Sequence, residues 1–170
     1  MSDTGKPPLR RSMPRSAARL AAVQALYQMD ATQIPLDAVI EEFGRFRFGQ
    51  RGGLGDNAEG EVPAAPDETF FADLLRGVVR GQDRIDGLIA GHLPEGWRLS
   101  RLDSTLRAIL RAGTYELVAR KDVPFKVAIN EYVEVTHAFF EGEETGLVNG
   151  ILDRLAHELG RDRAQKQNAG

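Results

Sequence analysis

Four arginines and no carboxylate stand between Pro8 and Tyr27, in "PLRRSMPRSAARLAAVQALY". Arg10, Arg11, Arg15 and Arg19 are the residues here best suited to chemistry with a polyanion, because a guanidinium fork matches two phosphate oxygens at once. Arg15 and Arg19 are four apart, so a helix through them puts both on one face. Tyr27, two or three turns further on, has a ring that can stack on an unpaired base, although a core role is the commoner one for such a residue. Residues 1–19 hold five basic side chains against Asp3 alone, a net +4 in a chain of formal net charge −3, which leaves −7 on the other 151 residues. Composition alone leaves a solubilising tail and a polyanion-binding arm equally open. The continuation of the arginines into an ordered helix favours the arm, because a rigid row meets successive phosphates.

Other chemistries find little support. The absence of cysteine removes disulfides, thiolate metal sites and a thiol nucleophile, and fits a reducing compartment. His92, His137 and His157 show no zinc-type spacing, and His137 and His157 fall on different helices, so no metal is expected. There is no phosphate-cradling GxxxxGK[ST] loop and no GxSxG elbow, and "GGLG" (52–55) lacks a strand before it. Asn130 and Glu131 interrupt an otherwise apolar helix; a structural hydrogen-bond network is the preferred reading over an active-site carboxylate, since no second catalytic group stands nearby. No catalytic residue and no cofactor are expected. Nor does any apolar run approach the ~20 residues that span a bilayer, and the N-terminus lacks the apolar stretch of a signal peptide, so a cytoplasmic protein with no membrane contact is expected.

The elements that must position the arginines read as helices throughout. Pro14 suits the first turn of a helix, with Ser12 as its cap, and Leu20, Val23, Leu26 and Tyr27 follow at helical spacing. A shorter helix follows Pro35. Gly44–Pro66 reads as a long exposed loop, in which Arg45, Arg47 and Arg51 alternate with Phe46 and Phe48; an RNA contact there is the lesser reading beside a plain surface loop. Asp67 caps a single long helix to His92, and "LPEGW" breaks the chain. Asp103 caps the next helix; Pro124 opens one over "PFKVAINEYVEVTHAFF" that is apolar almost all round and should be buried on several sides; a last amphipathic helix carries Leu147, Val148, Ile151, Leu152, Leu155 and Leu159. With no sustained period of two, the fold class expected is all-α: a helical bundle of about six to seven helices. The organisation expected is a flexible basic arm over residues 1–13, one helical domain over 14–160 with an inserted loop at 44–66, and a polar tail over 161–170.

"ARLAAVQALYQMD", "FFADLLRGV", "LRAILRAGTYEL" and "VPFKVAINEYVEV…GLVNGILDRL" together resemble the NusB family of bacterial transcription antitermination factors, in family order from about Arg15 to Leu159. The resemblance implies two packed three-helix subdomains and no catalysis. It implies binding of boxA RNA in ribosomal RNA leader transcripts, pairing with NusE (small-subunit ribosomal protein ten), and loading onto the RNA polymerase elongation complex with the other Nus factors. By position it extends the RNA surface from Arg10, Arg11, Arg15, Arg19 and Tyr27 to His92, Glu143 and Leu147. Ser16 and Ala17 stand where some members carry further arginines, so the basic cluster is thinner here. Glu143 beside RNA would repel phosphate and so moderate affinity. Some members self-associate as homodimers, and the sequence leaves monomer and dimer open. The competing readings are a protein-interaction module with merely solubilising arginines, and the helical domain found at the front of ribosomal RNA cytosine methyltransferases; the latter lacks its α/β catalytic domain and catalytic cysteine here.

Overall fold

The computed structural model describes residues 14–48 and 66–163. Among these the chain is all helix: α1 Pro14–Thr32, α2 Leu36–Glu42 with a π-helical continuation Phe43–Phe48, α3 Glu68–Arg80, α4 Gln82–Ala90, a 3-10 turn Leu99–Arg101, α5 Ser104–Ala119, α6 Phe125–Phe139 and α7 Glu144–Glu158. The expected all-α bundle is therefore found. Residues 1–13 and 49–65 lie outside the described residues, and with them Arg10, Arg11, the Ser12 cap and most of the expected loop.

Local chemistry sets the helix boundaries. The Asp67 carboxylate accepts from the Phe70 amide at 2.9 Å, and that of Asp103 accepts from Thr105 and Leu106 at 2.8 and 3.3 Å, so two helix starts have orphan amides satisfied by a cap. The helix expected from Asp67 to His92 is instead two: Gly81, at φ −104° and ψ 18°, closes α3 and opens α4. Gly77, by contrast, stays inside α3, where a Cβ would sit 2.0 Å from the Tyr115 ring. That ring occupies the side-chain space over Gly77 while its hydroxyl donates to Asp73 at 3.0 Å.

α1 packs on α3 and α5, α2 on α3, and α5, α6 and α7 pack on one another, so α5 joins an N-terminal group to a C-terminal one around one continuous core. The Asp67 amide donates to the Pro14 carbonyl, which starts α1 and α3 side by side. Small residues (Ala18, Ala21, Ala22, Ala25) form the buried stripe of α1 and permit this close packing. Two expectations fail in this packing. α6 is not buried all round: Lys126, Val127, Asn130, Glu134 and His137 are exposed, because only α1, α5 and α7 cover it. Arg161 does not belong to a polar tail; it is buried and donates to the carbonyls of Leu117 and Val123, closing off the α5–α6 connection.

Candidate nucleic-acid interface

Arg15 lies half-exposed (43 %) at the start of α1, its guanidinium 4.7 Å above the Phe70 ring centroid and within 3.5 Å of Asp122 and 3.8 Å of Asp67. These long, wet contacts leave it free to exchange carboxylate for phosphate.

Arg19 does not share that position. It is 3 % exposed, and its Nε and Nη2 grip both oxygens of the fully buried Glu116 at 2.6–3.2 Å, with Nη1 3.7 Å from Glu131. The Tyr132 hydroxyl donates to the same Glu116 carboxylate at 2.7 Å, and Ser16 donates to Glu131 at 2.8 Å. Burial alone works against the Arg19 charge, but the hydrogen bonds and attraction of Glu116 outweigh it, and the guanidinium titrates above its ordinary range. Burial first, then the Glu116 charge, hold the Tyr132 phenol well above the usual tyrosine range. The expected surface row Arg15–Arg19 is thus corrected to one outward and one inward arginine: positions four apart differ by about 40° around the helix, and that angle carries Arg19 past the rim of α1 into contact with α5. A signal for this exists in the sequence. Glu116 falls on the apolar face of α5 beside Gly113 and Leu117, and a carboxylate there requires a buried donor.

Tyr27 is 47 % exposed, so the core role expected for it gives way to a solvent-facing ring. One turn on, Asp30 takes an ion pair from Arg107, which also donates to the carbonyls of Leu99 and Ser100 at 3.3 and 3.4 Å. That clamp fixes the end of α1 to the 99–101 turn, whose flanking side chains line a depression of about 310 Å³. Trp97 (44 % exposed), Arg98 and Arg101 form one wall and Phe140, Glu143 and Leu147 the other. The side chains of Arg98 and Arg101 make no hydrogen bond or ion pair among the described residues, although the Arg101 amide donates to the Arg98 carbonyl at 3.0 Å. The family resemblance points to Glu143 and Leu147 here, while "LPEGW" reads in the sequence only as a break; its tryptophan between a glycine and an arginine is the signal it carries.

His92 lies elsewhere. Its Nδ1 is 2.9 Å from the Leu88 carbonyl and its Nε2 2.7 Å from Glu158, while Arg154 donates to its carbonyl at 3.0 Å. Both ring partners are acceptors. Glu158 is about 16 Å, or three turns, along α7 from Leu147, so His92 and the Glu143–Leu147 pair occupy opposite ends of that helix. No group of three or more metal-ligating side chains exists among the described residues, and none of their helices is long and apolar enough to cross a membrane.

What these groups can do chemically is bind: they offer guanidinium groups, exposed aromatic rings and a shallow half-apolar depression, the parts from which single-stranded RNA sites are made. Comparison with known proteins places the chain. It is 57 % identical over 148 residues to the transcription antitermination protein NusB of Caulobacter vibrioides, covering 87 % of this chain and 95 % of that one. The NusB of Allorhizobium ampelinum is 48 % identical over 158 residues, 93 % and 95 % of the two chains. T. maritima NusB superposes with a TM-score of 0.67 at 32 % identity, over 86 % of this chain and 92 % of the other. The NusB family model matches residues 16–157, and with relatives this similar over nearly their whole length the chain belongs to the NusB family.

Proposed function

We propose that this chain is a cytoplasmic, non-enzymatic transcription antitermination factor. It binds boxA RNA of ribosomal RNA leader transcripts together with NusE, and joins the RNA polymerase elongation complex with the other Nus factors. One observation carries the reading: 57 % identity, across 87 % of the chain, to a protein of that name. The geometry supports an RNA contact built from Arg15 at one end of α1 and from Tyr27, Trp97, Arg98, Arg101 and Leu147 at the other, and the sequence adds Arg10 and Arg11 just before Arg15. In it, guanidinium groups hold phosphates without regard to sequence, and the rings and the polar rim of the depression meet unpaired bases. Arg19 takes no direct part; it holds α1 against α5 so that Arg15 and Tyr27 project from a fixed helix.

The test is titration of a boxA-type RNA, with and without NusE, at two salt concentrations. Binding that tightens with NusE and weakens with salt is expected, since each partner favours the other's bound complex. RNA affinity indifferent to both would overturn the proposal.

A further inference from the structure

The most solvent-facing arginines of the N-terminal helices are not those of α1. Arg76 and Arg80 on α3 and Arg84 on α4 stand four apart in sequence, are all exposed, and their side chains make no hydrogen bond or ion pair among the described residues. Most ordered arginines here are engaged: Arg107 by Asp30, Arg111 by Asp86 at 2.8 Å, Arg120 by Asp73 at 3.2 Å. Those pairings also turn Asp73 and Asp86 toward α5. On the outer face Asp83 remains between Arg80 and Arg84, and Glu68 lies at the start of α3. Val79, 40 % exposed, sits between Arg76 and Arg80. Beside Arg76 runs a groove of about 260 Å³ bounded by Ile40, Gly44, Glu68, Thr69 and Ala72.

A run of arginines is most often just a solvated face. Three features argue otherwise. The protein is acidic overall, yet three neighbouring guanidinium groups are left unmatched on one edge. Arg76 and Arg80 lie about 6 Å of helix rise apart on α3, and Arg84 follows in the first turn of α4 beyond the Gly81 break, so the three offer successive guanidinium groups to the phosphates of an extended strand. The groove beside Arg76 gives a base a half-apolar seat with a carboxylate at its rim, able to accept from an amino group.

We propose that Arg76, Arg80 and Arg84 form a second RNA track, which holds single-stranded transcript flanking the element bound at α1 and the Trp97 depression. The inference rests on the RNA-binding reading above. α3 starts beside α1, at the end where Arg15 lies, and α4 touches the 99–101 turn, so the two helices that carry the strip adjoin both groups of that interface. The ligand is a single-stranded polyanion with free bases; charge complementarity selects it over an apolar partner.

The experiment compares wild type with Arg76→Gln/Arg80→Gln/Arg84→Gln on two RNAs, a short boxA-type RNA and the same RNA extended by about ten nucleotides on each side. Because the variant leaves three phosphates without a guanidinium partner, the salt slope for the extended RNA falls by about 2. Between 200 and 50 mM salt the wild type then gains about sixteenfold more affinity than the variant. Binding of the short RNA stays as in wild type. If wild type binds short and extended RNA alike, or the variant matches wild type on the extended RNA, the track is overturned while short-RNA binding leaves the proposed function standing. Unchanged RNA affinity with a shifted melting temperature would instead assign the strip to an acidic segment of this chain, and overturns the track equally. If wild type binds neither RNA, with or without NusE, both proposals fall together.

Discussion

Arg19 decides how mutations in the basic segment must be interpreted. Removing one partner of a buried, hydrogen-bonded ion pair leaves the other charge stranded, at a cost of about 3–5 kcal/mol. Arg19→Ala is therefore expected to unfold the protein at markedly lower denaturant, whereas Arg15→Ala, at a half-exposed site, changes stability by less than about 1 kcal/mol. Chemical denaturation of the two variants checks this; equal midpoints would contradict the buried role. It also means that RNA binding lost in an Arg15/Arg19 double variant says nothing about phosphate contact, since the fold itself is at risk. The phenol of Tyr132 adds a pH signature. Its folded value is raised, so its contribution to stability is fully present below the ordinary tyrosine range and is lost as pH climbs from there through the folded value. Wild type should lose stability steeply on the alkaline side, and Tyr132→Phe should be less stable at neutral pH but show a shallower alkaline limb. Parallel limbs in a pH series of thermal melts would refute that assignment. Glu143→Gln, on the exposed wall of the Trp97 depression, should raise RNA affinity without moving the melting temperature; a fall in affinity would show that the carboxylate makes a favourable contact.

At the scale of the element, Gly77 is the position where one added methyl group has the clearest consequence. Its Cβ would collide with a Tyr115 ring that is pinned by Asp73, so Gly77→Ala is expected to cost about 1–3 kcal/mol through overpacking despite alanine's better helix propensity. Gly77→Ala in a Tyr115→Ala background should recover much of that cost, and a double-mutant cycle measures the coupling. The elements themselves were largely legible in the sequence. Asp67 and Asp103 announced their helices through side chains that reach only nearby amides, and the stripes of α5 and α7 through apolar spacing. The boundary at Gly81 is not legible, because propensity says that a glycine is costly in a helix and not whether neighbouring packing will turn the chain there. The inward turn of Arg19, the outward turn of Tyr27 and the burial of Arg161 were not legible from local pattern. Each depends on what α5 or the α5–α6 connection presents across the interior, and residues such as Glu116 and Val123 are 97 and 38 positions away from the arginines they engage. The Trp97 depression was missed for the same reason: its two walls come from segments that only tertiary packing brings together.

For the whole molecule the matter is where positive charge is free to act. The surplus of cations in residues 1–19 points to a single arm, but the fold withdraws Arg19 from it and exposes Arg98 and Arg101 beside the depression instead. A transcript held at both places neutralises charge through Arg10, Arg11, Arg15, Arg98 and Arg101. At ~0.7 of slope per phosphate on a single strand, log affinity against log salt should then fall with a slope near −3.5. Arg98→Gln and Arg101→Gln should each lower the magnitude by about 0.7, as should Arg15→Gln, and the loss at Arg15 should add to those at the depression because it lies at the other end of α1 and shares no partner with them. Trp97→Ala should behave differently. It removes stacking and no charge, so affinity drops by about 1–3 kcal/mol at every salt concentration while the slope stays put. That contrast separates a site that reads bases from a surface that merely attracts phosphate. If Trp97→Ala shifts the slope, or if removing Arg98 and Arg101 leaves it untouched while the α1 arginines account for all of it, the depression between the 99–101 turn and α7 is not part of the RNA path, and the transcript follows α1 alone.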